Sequence, residues 1–128
     1  LSNAVILLLD DEEDLLNLLK EALHQALPDF EIVSTTTFRE AEEQLQNIEA
    51  SGVKLSMIIA DHVLYDRTGL ELLESTTTRF PGVPSLMLTG QATPHVEERA
   101  KALGVEVLWK PITLPTLLKT VRRSLAAH

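Results

Sequence analysis

Cysteine is absent from the 128 residues, which excludes disulfides, thiolate metal sites and thiol nucleophiles. Long apolar runs are missing too. The longest, Ala4 to Leu9, is far too short to cross a bilayer and lacks the cleavage context of a signal peptide, so a cytoplasmic protein without membrane contact is expected. Clustered basic charge is also lacking: the eleven Lys and Arg residues are scattered, and the net charge is −8. That argues against this chain gripping nucleic acid by itself, because phosphate backbones demand grouped cations. No glycine follows Leu9 until Gly52, so the glycine-rich first turn of a dinucleotide-binding domain is absent.

What is present suits one globular domain, with 45% apolar and 23% charged residues. There is no initiator Met. Residues 1–4, with Ser2-Asn3-Ala4, read as the remnant of a cleaved expression tag, and 5–126 as a domain cut from a longer protein. Short apolar runs alternate with amphipathic stretches five times. Val5–Leu9 precedes Glu12–Leu27, and Phe30–Val33 precedes Phe38–Ala50. Leu55–Ala60 precedes Leu70–Arg79, Ser85–Leu88 precedes Val96–Leu103, and Val105–Trp109 precedes Leu114–Leu125. Strands with little polar alternation, each followed by a helix, predict a parallel sheet covered on both faces. The fold class expected is a single (βα)5 α/β unit. Thr93-Pro94 and Thr113 are the predicted starts of the fourth and fifth helices.

In such a sheet, ligands bind beyond the carboxyl ends of the strands. Asp10 and Asp11 follow the first run, Asp61 the third, Thr89 the fourth and Lys110 the fifth. Three carboxylates at one end repel each other unless a cation intervenes. Lys110 is one such cation and a divalent ion is another. Hard oxygen donors without Cys or clustered His suit Mg²⁺ rather than zinc. A free carboxylate beside Mg²⁺, Lys and Thr is equipped for phosphoryl transfer, with the carboxylate attacking and the others neutralising phosphoryl oxygens.

These residues carry a resemblance. "ILLLDDEEDLLNLL", "IIADHVLYDRTGLELL", "PSLMLTG" and "GVEVLWKPI", all in register from about Val5 to Leu125, resemble the receiver domain of two-component response regulators. The resemblance implies a flavodoxin-like sheet with strand order 2-1-3-4-5. It implies that Asp61 accepts a phosphoryl group from a histidine kinase or a histidine phosphotransfer protein. Asp11 then ligates Mg²⁺, Asp10 supports it, and the Val63 backbone carbonyl is a further metal ligand. Thr89 and Lys110 contact the acyl phosphate, and the Lys110-Pro111 bond is cis. A fused output domain or a homodimer is the expected recipient of the signal, and catalysis is confined to the domain's own phosphorylation and dephosphorylation. The segment after Asp61 leans towards receivers attached to hybrid kinases.

Two positions depart from the family pattern. Tyr65 stands where a proline is common, and Val107 where an aromatic residue usually reports the threonine's movement. Two other readings compete. One is a degenerate receiver acting only as a protein-interaction module, against which the intact set of five site residues argues. The other is a haloacid dehalogenase-type phosphatase, which needs an Asp-x-Asp pattern after the first strand that Asp10-Asp11-Glu12 does not supply. Singly, each motif has a plainer reading. Asp10 to Glu13 suits any helix N-terminus, Thr89-Gly90 is an ordinary turn, and Lys110-Pro111 an ordinary loop start. His62 is expected at the rim, and His24, His95 and His128 in solvent.

Overall fold

The computed structural model describes residues 4–64 and 67–127, so the readings on residues 1–3, Tyr65 and His128 lie outside the described residues. The elements alternate as β1 (Ala4–Leu9), α1 (Glu13–Ala26), β2 (Glu31–Thr35), α2 (Phe38–Ser51) and β3 (Lys54–Asp61). They continue as α3 (Gly69–Arg79), β4 (Ser85–Thr89), α4 (Pro94–Ala102), β5 (Glu106–Trp109) and α5 (Leu114–Ala127). The five strands form one sheet in the order β2-β1-β3-β4-β5, with every pairing parallel. That is the predicted doubly wound topology.

Alternation along each strand divides the core. Leu7 and Leu9 of β1, Ile58 and Ala60 of β3 and Met87 of β4 pack with Leu45 of α2, Leu72 of α3 and Ala100 of α4. Ile6, Leu8, Met57, Ile59, Leu86 and Leu88 pack on the other face with Leu16, Leu19 and Leu23 of α1 and Leu117 and Val121 of α5. Both faces of the strands are therefore buried, which is why they read as unbroken apolar runs. One irregularity falls early. Val5 pairs with Leu55 but Ile6 with Met57, so Ser56 is passed over at the start of the β1–β3 ladder.

The helix starts follow local chemistry. The hydroxyls of Thr37, Thr68 and Thr93 accept the Glu40, Glu71 and Val96 amides, satisfying first-turn donors that have no helical partner. Glu71 returns a bond to the Thr68 amide and completes a capping box. Pro94 sits in the first turn of α4, and the Thr113 hydroxyl accepts the Thr116 amide at 3.3 Å. Strands β2, β3 and β4 each extend past the carboxyl end of the apolar run that announced them, β4 by Thr89. β2 takes in Ser34 and Thr35 because the buried Thr35 hydroxyl donates to the Leu8 carbonyl at 2.6 Å. β3 takes in Asp61, which pairs with Leu88 of β4.

The described residues at the two ends of the β3–α3 connection are tied to one another. The Gly69 amide donates to the His62 carbonyl at 2.8 Å, and Val63 bridges to Thr68. Arg67 stacks over the Phe38 ring, 3.9 Å from its centroid, and pairs with Glu71 at 2.9 Å. A Cβ on Gly69 would lie 2.0 Å from the Asp61 carbonyl oxygen, a backbone atom that cannot swing aside. Glycine is required there because two stretches of main chain cross. Gly69→Ala should therefore destabilise the protein by about 1–3 kcal/mol in urea denaturation. Gly90→Ala, whose Cβ would meet only the Lys110 side chain at 3.9 Å, should leave the midpoint nearly unchanged.

Candidate functional site

The carboxyl ends of β1, β3, β4 and β5 deliver five of the predicted site residues to one edge of the sheet. Because β1 and β3 are neighbours, Asp10, Asp11 and Asp61 converge, with one carboxylate oxygen of each lying within 4.8 Å of the others. β5 is two strands from β3, a gap that the long Lys110 side chain spans. Its Nζ lies 3.3 Å from Asp61 Oδ1 and 3.5 Å from Asp10 Oδ2. The Lys110-Pro111 peptide is cis, as expected.

The three acids differ in environment. Asp10 and Asp61 are buried while Asp11 is exposed. Burial raises the Asp10 pKa above the ordinary carboxylate value, although the Glu12 amide, which donates to Oδ1 at 2.9 Å, and Lys110 favour the ionised form. Burial also pushes Asp61 up, to about 6, reinforced by the Asp10 charge and only partly opposed by Lys110. Desolvation pulls the Lys110 ammonium down, yet Asp10 and Asp61 more than offset it, so its pKa is raised. One lysine thus shares its charge between two buried acids. The residual excess of negative charge, with a solvent-facing third carboxylate, fits a hard divalent cation such as Mg²⁺.

Thr89 is fully buried, and its hydroxyl donates to the Gln91 carbonyl at 2.6 Å while accepting the Gln91 amide at 3.0 Å. Its single proton is therefore committed to the β4–α4 turn. Val63 lies in the tethered connection after Asp61, with its side chain exposed. His62, expected at the rim, is instead buried; its Nδ1 has no hydrogen-bond partner, and burial lowers its pKa, favouring the neutral imidazole. No sequence signal marks it, since its burial depends on the neighbouring strand and on α4. His24 and His95 are exposed, as predicted.

Fold and site together define a flavodoxin-like α/β protein with an acidic, lysine-bridged pocket at the carboxyl edge of its sheet. The chain belongs to the response regulator receiver domain family of two-component signalling, whose model matches residues 6–122. It is similar to a CheY-like receiver domain protein from Methanospirillum hungatei JF-1. The identity there is 25% and the TM-score 0.85, over 97% of this chain and 94% of that one. It is also similar to the chemotaxis protein CheY4 of Vibrio cholerae, with 28% identity and a TM-score of 0.81 over 94% of this chain and 98% of that one. No curated protein sequence matches the chain.

The raised Asp61 pKa has a consequence for stability. In the unfolded chain the group titrates near 3.8, in the native protein near 6. Below the lower value both states are protonated and Asp61 imposes no penalty. Between the two values the native state binds more protons than the unfolded state, so stability falls as pH rises. Above the native value the penalty is complete, at most about 3 kcal/mol. Asp61→Asn should therefore be more stable than wild type at neutral pH in metal-free buffer. That advantage should grow through the window between the two titrations and then level off. Urea midpoints across the acid range measure it, and a pH-independent difference would contradict the assignment.

Proposed function

We propose that this receiver is an active phosphoacceptor: Asp61 takes a phosphoryl group from a phosphohistidine on a histidine kinase or phosphotransfer protein, with Mg²⁺ as cofactor. The observation that supports this reading best is the convergence of Asp10, Asp11 and Asp61 with Lys110 bridging the two buried acids. A domain kept only for binding has no need of such a costly arrangement, because buried carboxylates disfavour folding.

In the transfer, an ionised Asp61 oxygen attacks phosphorus. The new O–P bond forms as the donor's N–P bond breaks, and the N–P electron pair stays on the donor imidazole. Near neutral pH the Asp61 carboxylate is mostly ionised even with its pKa at about 6, so no separate base is needed. Asp11, Asp61 and the Val63 carbonyl, supported by Asp10, would hold Mg²⁺, which would supply positive charge for the phosphoryl oxygens. Lys110 adds the second cation, moving its Nζ from the Asp61 carboxylate to a phosphoryl oxygen. Thr89 contributes a hydroxyl donor once its proton leaves the Gln91 carbonyl. Asp10 would support the metal site indirectly, since one of its oxygens accepts the Glu12 amide and the other faces Lys110.

The domain is thus a signalling element rather than an enzyme acting on other molecules, and the cytoplasm is where its donor resides. Its phosphorylated surface is read by an attached output domain, a separate partner or a second copy.

Incubation with a small acyl phosphate and Mg²⁺ should add one phosphoryl group to the intact mass of the wild type. Asp61→Asn should gain none. A label that persists in Asp61→Asn would move the acceptor elsewhere. The metal is tested separately. Asp11→Ala should weaken Mg²⁺ binding about tenfold or more, equivalent to about 1.4 kcal/mol, as followed by isothermal titration. An unchanged affinity would remove Asp11 from the metal's ligands.

A further inference from the structure

Arg67 stands just before α3 with half of its side chain open to solvent. A long side chain so placed is ordinarily free to sample many rotamers. Here it is held from two sides. Its guanidinium lies over the Phe38 ring, 3.9 Å from the centroid, while Nε and Nη2 both donate to Glu71 Oε2, at 3.1 and 2.9 Å. Stacking uses the flat face of the guanidinium and pairing uses its edge, so the two contacts do not compete.

Each contact leads to one half of the acid cluster. The other oxygen of Glu71 accepts the amide and the hydroxyl of Thr68, both at 3.1 Å. Thr68 bridges to Val63, and the next residue, Gly69, crosses the Asp61 carbonyl so closely that no Cβ fits. Phe38 leads the other way. It opens α2 and is buried in the core, shortly after Thr35, whose carbonyl accepts the Asp10 amide at 3.1 Å. Arg67 thereby ties the start of α3, where Asp61 and Val63 are anchored, to the start of α2, near the anchor of Asp10.

The tie acts against a force. Asp10 and Asp61 repel one another, and Lys110 brings one charge for the two of them. Such repulsion tends to spread the strand ends that carry the acids. A divalent ion would then have to draw them together again, and that work would weaken its binding. A strap that holds the ends in advance removes the loss, as preorganisation does for any ligand.

We propose that Arg67 is a positioning residue for phosphoryl transfer: by bridging Phe38 and Glu71 it holds Asp61 and the Val63 carbonyl at the spacing from Asp10 and Asp11 that Mg²⁺ requires. The proposal rests on the phosphoacceptor reading above. It also sets a sign. Arg67 is a cation on the same edge as a cation site, so through space alone the loss of its charge would tighten Mg²⁺ binding. Loss of a strap weakens it instead.

The whole protein and its variants are compared by Mg²⁺ titration, by the rate of phosphorylation from a small acyl phosphate, and by urea unfolding. Arg67→Ala should weaken Mg²⁺ binding about threefold. It should raise the Mg²⁺ concentration for half-maximal phosphorylation by the same factor and leave the maximal rate unchanged. Its urea midpoint in metal-free buffer should hardly move, because exposed contacts contribute little to stability. Phe38→Leu, which keeps apolar bulk but removes the ring face, should unfold at lower urea and show the same weakening of Mg²⁺ binding in its folded form. The double variant should bind Mg²⁺ no more weakly than either single one, since both break one strap. Arg67→Lys, whose ammonium cannot stack and fork together, should fall between wild type and Arg67→Ala. Unchanged or tighter Mg²⁺ binding in Arg67→Ala overturns the proposal, and so does full additivity with Phe38→Leu. A wild type that binds no Mg²⁺ and gains no phosphoryl group defeats the phosphoacceptor reading itself, and the strap with it.

Discussion

Mutual repulsion among Asp10, Asp11 and Asp61 is the constraint around which the carboxyl edge of this sheet is organised. Two of these acids are buried, and burial disfavours their charged forms. Lys110 reaches both but carries one charge, so the balance stays negative. The imbalance is unfavourable for folding and useful for chemistry. It creates a preformed demand for cationic charge, which a divalent ion can satisfy. Proteins commonly hold such local strain at their working sites and offset it with packing elsewhere. Here the offset comes from two apolar layers whose central side chains are almost wholly enclosed.

The doubly wound topology is what makes this convergence possible. Placing β1 beside β3 brings acids separated by about half the chain into one cluster, and β4 and β5 follow on the same side. The crossing of main chains at Gly69 and Asp61 then fixes the start of α3 against the end of β3, next to Val63. Arg67, stacked on Phe38 and paired with Glu71, adds a tether from that junction to α2 and α3. These contacts are exposed and individually weak, but they act on a segment already pinned by backbone bonds.

Strand alternation also divides the edge into two functional faces. Asp61 and Lys110 look towards α1 and α5, whereas Thr89 and Trp109 look towards α3 and α4. Thr89 is the element common to both, since its carbonyl accepts the Lys110 amide while its hydroxyl is bonded into the β4–α4 turn. A chemical event on one face can thus be felt on the other without a long relay.

Much of this was determined by the sequence alone. Five apolar runs, each followed by a helical pattern, specify a covered parallel sheet because only burial on both faces explains strands without polar alternation. The acids, the threonine and the lysine could be placed at one edge because ligand-bearing residues in such sheets follow the strands. Threonines at 93 and 113 marked helix starts through bonding that is local in the chain. Tertiary structure alone decided the rest. That β2 runs on to Thr35 depends on a hydroxyl bond to β1, and that β3 includes Asp61 depends on pairing with β4. The burial of His62, the exposure of Trp109 and the sharing of Lys110 between two acids each depend on residues distant in the chain. Local propensity carries no information about such partners, because burial and ionisation are properties of the assembled environment.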